Sequence, residues 1–214
     1  MDNLSAILDG ISVNTQSSIR AACGGTVVRF DPLEIAGEPR DADVVFVTHA
    51  HGDHFSPADI AKVSKPGTVL VVPASMADQA KESVSLPLVT AVPGQSGEAA
   101  GIPFEAVPAY NRLKPFHPKR NQWTGYIVTL GGARIYVAGD TDAIPELESV
   151  RCDAALVPVG GKYTMTAKEA AELVNRMKPA AAIPTHFGSI VGKPEDGAAF
   201  AALVGEGIRV ELKL

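Results

Sequence analysis

Apolar and polar positions follow one another along the chain in short blocks. Runs rich in β-branched residues occupy positions 26–30, 44–47, 68–72, 104–107, 126–130, 134–137, 154–157 and 181–183, and they predict at least eight strands bounded by turn-forming residues. Helical periodicity is rarer. Thr166 and Glu169 stand at capping-box spacing, Ala170, Leu173, Val174 and Met177 follow on one face, and Pro179 closes the segment, which predicts a helix starting at Thr166. Ser56, Pro57 and Asp59 are the residue types of an N-cap, a first helical position and a first turn, so a second helix is expected there. Positions 73–82 and 194–204 carry fainter helical patterns, each with Pro near its start. Strands interleaved with helices predict a layered α/β fold. No repeat of fixed period is present, which argues against solenoids and propellers.

The 20 Gly and 16 Pro residues fall between the apolar runs, as expected of many short elements joined by turns. With 214 residues, 46% of them hydrophobic, the chain has the size of a single domain (1–214) that buries a core without disulfide staples. Nineteen Lys plus Arg against 24 Asp plus Glu give a net charge of -5, which disfavours nucleic acid as a partner because wide phosphate neutralisation needs the opposite balance. No window approaches the length of apolar chain that spans a bilayer, and Met1-Asp2-Asn3-Leu4-Ser5 lacks the basic end and apolar run of a secretory signal. Cys23 and Cys152 are the only cysteines and have no CxxC spacing. A cytoplasmic protein with a small-molecule substrate and no membrane partner is expected, with a homo-oligomer left open.

The chemistry concentrates after the apolar run 44–47. There the chain reads Thr48-His49-Ala50-His51-Gly52-Asp53-His54, placing three of its five histidines and a carboxylate together just before the capped helix. In extended chain, side chains two apart share a side, so His49, His51 and Asp53 can converge while His54 turns to a neighbouring point. Imidazole nitrogen and carboxylate oxygen suit Zn²⁺, with Mn²⁺ and Fe²⁺ as alternatives. Burying so much polarity at a strand end without a metal would leave several groups to be satisfied.

This segment resembles the H-x-H-x-D-H signature of the metallo-β-lactamase fold superfamily. Downstream, Ala138-Gly139-Asp140 resembles the strand end that delivers the superfamily's metal-bridging aspartate, and Ile183-Pro184-Thr185-His186 resembles its last histidine motif, in the same order. With Phe30-Asp31-Pro32 and Val191-Gly192-Lys193, the resemblance covers nearly the whole chain and points to the small, single-domain, UlaG-like branch of hydrolases. It implies a four-layer αββα sandwich, two mixed sheets with helices on the outer faces. It also implies that His49 and His51 bind one divalent ion, that Asp53, His54 and His186 bind the other, and that Asp140 bridges the two.

One departure stands out. Where many members place a further histidine after the strand at 104–108, this chain reads Ala109-Tyr110-Asn111, and His117 is the only histidine left for that role. His117 is expected near the metals, as third ligand of the first ion or as a substrate contact, with Asn111 as the competing candidate. Arg112, Lys114, Lys119 and Arg120 make the same loop basic, which suggests that Lys119 helps to hold an anionic substrate such as a phosphate ester or carboxylate. Tyr163, in the Gly-rich turn after the run 154–157, is a second candidate for substrate contact.

The expected function is hydrolysis of an ester, lactone or phosphodiester bond by a metal-bridging hydroxide, with Asp140 and Asp53 as the catalytic carboxylates. No Gly-x-Ser-x-Gly elbow offers a covalent nucleophile instead. The competing expectations are a nuclease or RNA phosphodiesterase, and a non-hydrolytic di-metal protein with a redox or metal-binding role.

Overall fold

A computed structural model describes residues 3–214; Met1 and Asp2, which belong to the stretch read above for a secretory signal, lie outside the described residues. The first sheet contains β1 (Ile11–Val13), β2 (Ile19–Cys23), β3 (Thr26–Phe30), β4 (Ala42–Phe46), β5 (Ser64–Pro73) and β6 (Leu88–Ala91), in that spatial order. The second contains β7 (Ser96–Ala99), β8 (Ile102–Pro108), β9 (Thr124–Leu130), β10 (Ala133–Val137), β11 (Ala154–Pro158), β12 (Ala181–Thr185) and β13 (Arg209–Val210), again in sequence order. Each sheet is mixed in the same way. An antiparallel meander, β1-β2-β3 or β7-β8-β9-β10, continues into a parallel run, β4-β5-β6 or β11-β12-β13. Parallel neighbours require crossover connections, and helices supply several of them.

Helix α1 (Asn3–Asp9) sends Ile7 and Leu8 into the core between the sheets, where Val28, Phe30, Phe46, Phe104, Tyr126 and Val128 also pack. Phe46 anchors this layer, with ring centroids 5.2 Å from Phe30, 5.5 Å from Phe104 and 4.9 Å from Tyr126. Helices α2 (Pro57–Val63) and α3 (Ala77–Ser83) cover the outer face of the first sheet through Ile60, Val63 and Ala80. Helices α4 (Ala167–Met177) and α5 (Asp196–Leu203) cover the second through Leu173, Val174, Met177 and Phe200. The result is the αββα sandwich that the sequence resemblance implies. No helix among the described residues is long and apolar enough to cross a membrane.

Local chemistry explains the helix starts. Ser56 caps α2 by accepting from the Asp59 N–H, with Pro57 in the first turn. At α4, Thr166 accepts from the Glu169 N–H while the Glu169 carboxylate accepts from the Thr166 N–H, satisfying two otherwise orphaned donors. The segment 73–82 divides into a 3-10 turn, Ala74–Met76, and α3. Cys23 and Cys152 are free and partly buried.

Candidate metal centre

The ligand candidates lie where strands end. β4 leads directly into His49, β10 into Asp140 and β12 into His186, so the carboxyl ends of parallel-paired strands from both sheets deliver side chains to one edge of the sandwich. Gly139 makes the approach of the two sheets close: a Cβ there would stand 2.9 Å from Thr48 Cβ, and its φ of +64° is one that side chains rarely adopt. The Thr124 N–H donates to the Thr48 carbonyl and the Tyr126 hydroxyl to the Val47 carbonyl, which ties β9 to the end of β4.

Three overlapping trios of ligand atoms form there, one of them His49, His54 and Asp140, and the other two share no residue. His49, His51 and His117 make one, and Asp53, His54 and His186 the other, with all ligand atoms of a trio within 4.8 Å of one another. Asp140 stands between them. Its Oδ2 is 3.3 Å from His117 Nε2 and 3.3 Å from His186 Nε2, and its Oδ1 is 3.3 Å from His54 Nε2. Asp53 Oδ2 lies 3.4 Å from His186 Nε2 and 3.5 Å from His54 Nε2.

These separations decide what the cluster is built for. His54 Nε2, His117 Nε2, His186 Nε2 and Asp140 Oδ1 are buried and make no hydrogen bond. Buried polar atoms without partners are rare and costly, and four around one point call for a shared partner. Ligand atoms at about 2.1 Å from a tetrahedral zinc ion stand about 3.4 Å apart, which is the spacing found here. The donor set therefore fits divalent cations. Electrostatics agrees, since burial, together with the neighbouring His54, holds His49 well below the ordinary imidazole range and so neutral. Burial alone would raise the Asp140 carboxyl, but His186 and His54 outweigh it and keep it well below the carboxylate range.

A surrounding shell fixes the rings. Asp31, at the end of β3 with φ 43°, accepts from the Thr48 N–H (2.8 Å), the Thr48 hydroxyl (2.6 Å) and His54 Nδ1 (2.7 Å). The Thr48 oxygen is thereby left as acceptor for His49 Nδ1 at 3.0 Å. Asn111 Oδ1 accepts from His117 Nδ1 (2.9 Å) and from the His117 N–H (3.1 Å). In each case the outer ring nitrogen is held by this shell and Nε2 faces the cluster, the orientation that ligating histidines need. Trp123 packs against His49 and His51, with ring centroids 5.0 Å away in both pairs.

His117 thus joins His49 and His51, while Asn111 orients it from behind. Lys119 has another task from the substrate contact expected of it: its ammonium donates to Glu146 Oε1 at 2.7 Å, and it does not line the cavity beside the cluster. Lys114 is likewise engaged by Asp142 at 2.6 Å. That cavity, about 300 Å³, is lined by His51, Asp53, Phe116, His117, Asp140, Tyr163 and Ile190, so Tyr163 does face it. Trp123, Thr48, Phe116 and Ile190 were not anticipated in these roles. The first had one available signal, as the only tryptophan of the chain.

Comparison with known proteins places this geometry in a family. Residues 11–187 match the β-lactamase superfamily domain, a span that includes every ligand candidate from His49 to His186. A UPF0173 metal-dependent hydrolase of Thermococcus onnurineus is 34% identical over 180 residues, covering 79% of this chain and 77% of its own. A crystal structure from Parabacteroides distasonis, of a protein named for metal-dependent hydrolysis, has a TM-score of 0.79 at 29% identity and covers 95% of this chain and 92% of that one. The di-iron β-hydroxylase CmlA of Streptomyces venezuelae, at 13% identity and TM-score 0.77 over 95% of this chain and 52% of its own, shares the fold alone. The chain belongs to the β-lactamase superfamily and has the metallo-β-lactamase fold.

Proposed function

We propose that the protein is a metal-dependent hydrolase that cleaves an ester, lactone or phosphodiester bond of a small substrate with the help of two divalent cations, zinc by donor type. The observation that carries this reading is the pair of ligand trios on either side of Asp140, with four buried donor and acceptor atoms that have no hydrogen-bond partner among the described residues. His49, His51 and His117 would hold one cation and Asp53, His54 and His186 the other, with Asp140 between them. When bound, such a pair lowers the pKa of a shared water toward about 7 and polarises the scissile group.

The chain's own residues supply the rest. Asp53 is half-buried on the cavity wall, so its carboxylate is placed to orient an attacking water or to take its proton. Asp31, Thr48 and Asn111 hold the rings of His54, His49 and His117 so that Nε2 faces the cluster. Phe116, Tyr163 and Ile190 border the cavity and give one side of it an apolar wall. The relatives' naming as metal-dependent hydrolases supports the same class.

The test begins with elemental analysis of protein purified without added metal. Turnover is then measured on p-nitrophenyl esters, lactones and bis-p-nitrophenyl phosphate, with and without chelator. Activity on at least one ester-type substrate is expected, falling to background with chelator and in His51→Ala and Asp140→Ala. Activity that survives all three treatments would remove the reading.

A further inference from the structure

We propose that the substrate is uncharged and presents an apolar acyl or alkyl group that packs between Phe116, Tyr163 and Ile190 at the mouth of the metal centre. This rests on the hydrolase reading and adds a substrate class to it. Three separate loops bring these side chains together: one between β8 and β9, one after β11 and one after β12. Phe116 and Tyr163 meet edge to face, with ring centroids 4.6 Å apart at 87°. Phe116 is 40% exposed and Ile190 57% exposed, so both keep apolar surface in water at the rim of a cavity. A concave site with apolar walls and a few convergent polar groups is the usual form of a small-ligand pocket, and the apolar rim gains only from an apolar ligand.

The charges point the same way. The cavity lining contains Asp53 and Asp140 but no Lys or Arg. Lys114 donates to Asp142 Oδ1 and to the Thr164 carbonyl, both at 2.6 Å, and Lys119 is held by Glu146 at 2.7 Å. Lys162 lies over the Tyr163 ring, 5.0 Å from its centroid, outside the cavity lining. With Asp53 and Asp140 engaged by the cations, the lining offers a second anionic group on the substrate no guanidinium or ammonium to pair with.

The experiment compares p-nitrophenyl acetate, butyrate and hexanoate with p-nitrophenyl hemiglutarate, whose acyl chain ends in a carboxylate, on the metal-loaded protein. kcat/KM is expected to rise about tenfold from acetate to butyrate, from the burial of two methylenes, and the hemiester should fall at least about tenfold below the hexanoate. Phe116→Ala and Ile190→Ala, at partly exposed positions, should each flatten the chain-length series. Calorimetric titration with acetohydroxamate and hexanohydroxamate reads the same preference without turnover. A flat series with active enzyme, or a hemiester preference that disappears in Lys162→Ala, would overturn the apolar pocket and leave the hydrolase standing. Chain-length-dependent hydroxamate binding without turnover of any ester, lactone or phosphodiester would keep the pocket and remove the hydrolase. Absence of both overturns both.

Discussion

At the scale of single residues, the site is a problem of holding imidazoles in one orientation. A histidine ring has two nitrogens, and a cation can use only the one that is unprotonated and inward. Asn111 settles this for His117 by accepting from its Nδ1 and its backbone N–H, while its own amide donates to Asp142 Oδ1 (3.1 Å) and the Tyr163 carbonyl (2.9 Å). Asn111→Ala should therefore leave the fold intact and weaken one metal site by about 10- to 100-fold, the usual consequence of removing such a partner. Metal content measured after dialysis against graded chelator would show it, and retention equal to wild type would rule the role out. The sequence made His117 and Asn111 competitors for one place. They are partners because the loop folds back so that the Asn111 N–H donates to the His117 carbonyl, a closure no local pattern announces. The HxHxDH run, in contrast, was readable because ligand type and spacing sit within a few residues of one another.

At the scale of elements, ligands are positioned by how tightly strand ends pack. β11 and β12 are parallel neighbours, and a Cβ on Gly160, just past β11, would stand 2.3 Å from the His186 carbonyl oxygen. That obstacle is backbone and cannot swing aside. Gly160→Ala should then cost about 1–3 kcal/mol, typical of overpacking, and displace His186 from its trio. A lowered melting temperature together with loss of metal from the protein is expected; an unchanged metal content would show that the two turns move independently. The elements themselves were legible where side chains carry the pattern. β3 coincides with the predicted run because Thr26–Phe30 is β-branched and apolar. β7, Ser-Gly-Glu-Ala, has no β-branched residue and exists because it pairs with β8 at the edge of the sheet. β5 begins at Ser64, and the Pro66-Gly67 pair interrupts its ladder with β4: Ser64 pairs with Ala42, and pairing resumes with Val69 opposite Val44. α1, β1 and β13 are seven, three and two residues long, too short for any periodicity to register.

At the scale of the whole molecule, the cluster joins two halves of the sandwich. His49, His51, Asp53 and His54 follow the first sheet's β4, whereas His117, Asp140 and His186 belong to the second sheet and its loops. Any cation held by both sets binds only the folded chain and so stabilises it; at a free concentration of 100 times Kd this amounts to about 2.7 kcal/mol. For a chain of this size the corresponding rise in Tm is about 5–10 °C. The gain should depend on pH in a definite direction. In the metal-free protein, burial by itself would lower the pKa of His54, but Asp140 and then Asp31 outweigh it and raise it from 6.5 to about 9. A raised folded-state pKa stabilises the metal-free fold fully below pH 6.5, and that contribution is lost as pH climbs through about 9. A cation must displace the same proton, so loading becomes easier over the same interval. Scanning calorimetry with and without chelator should therefore show a Tm difference that widens between pH 7 and 9. Titration of metal into the protein at pH 7.5, in buffers of different ionisation enthalpy, should release about one proton from His54 for the cation that it ligates. A constant Tm difference with no proton released would mean that His54 does not face the cation.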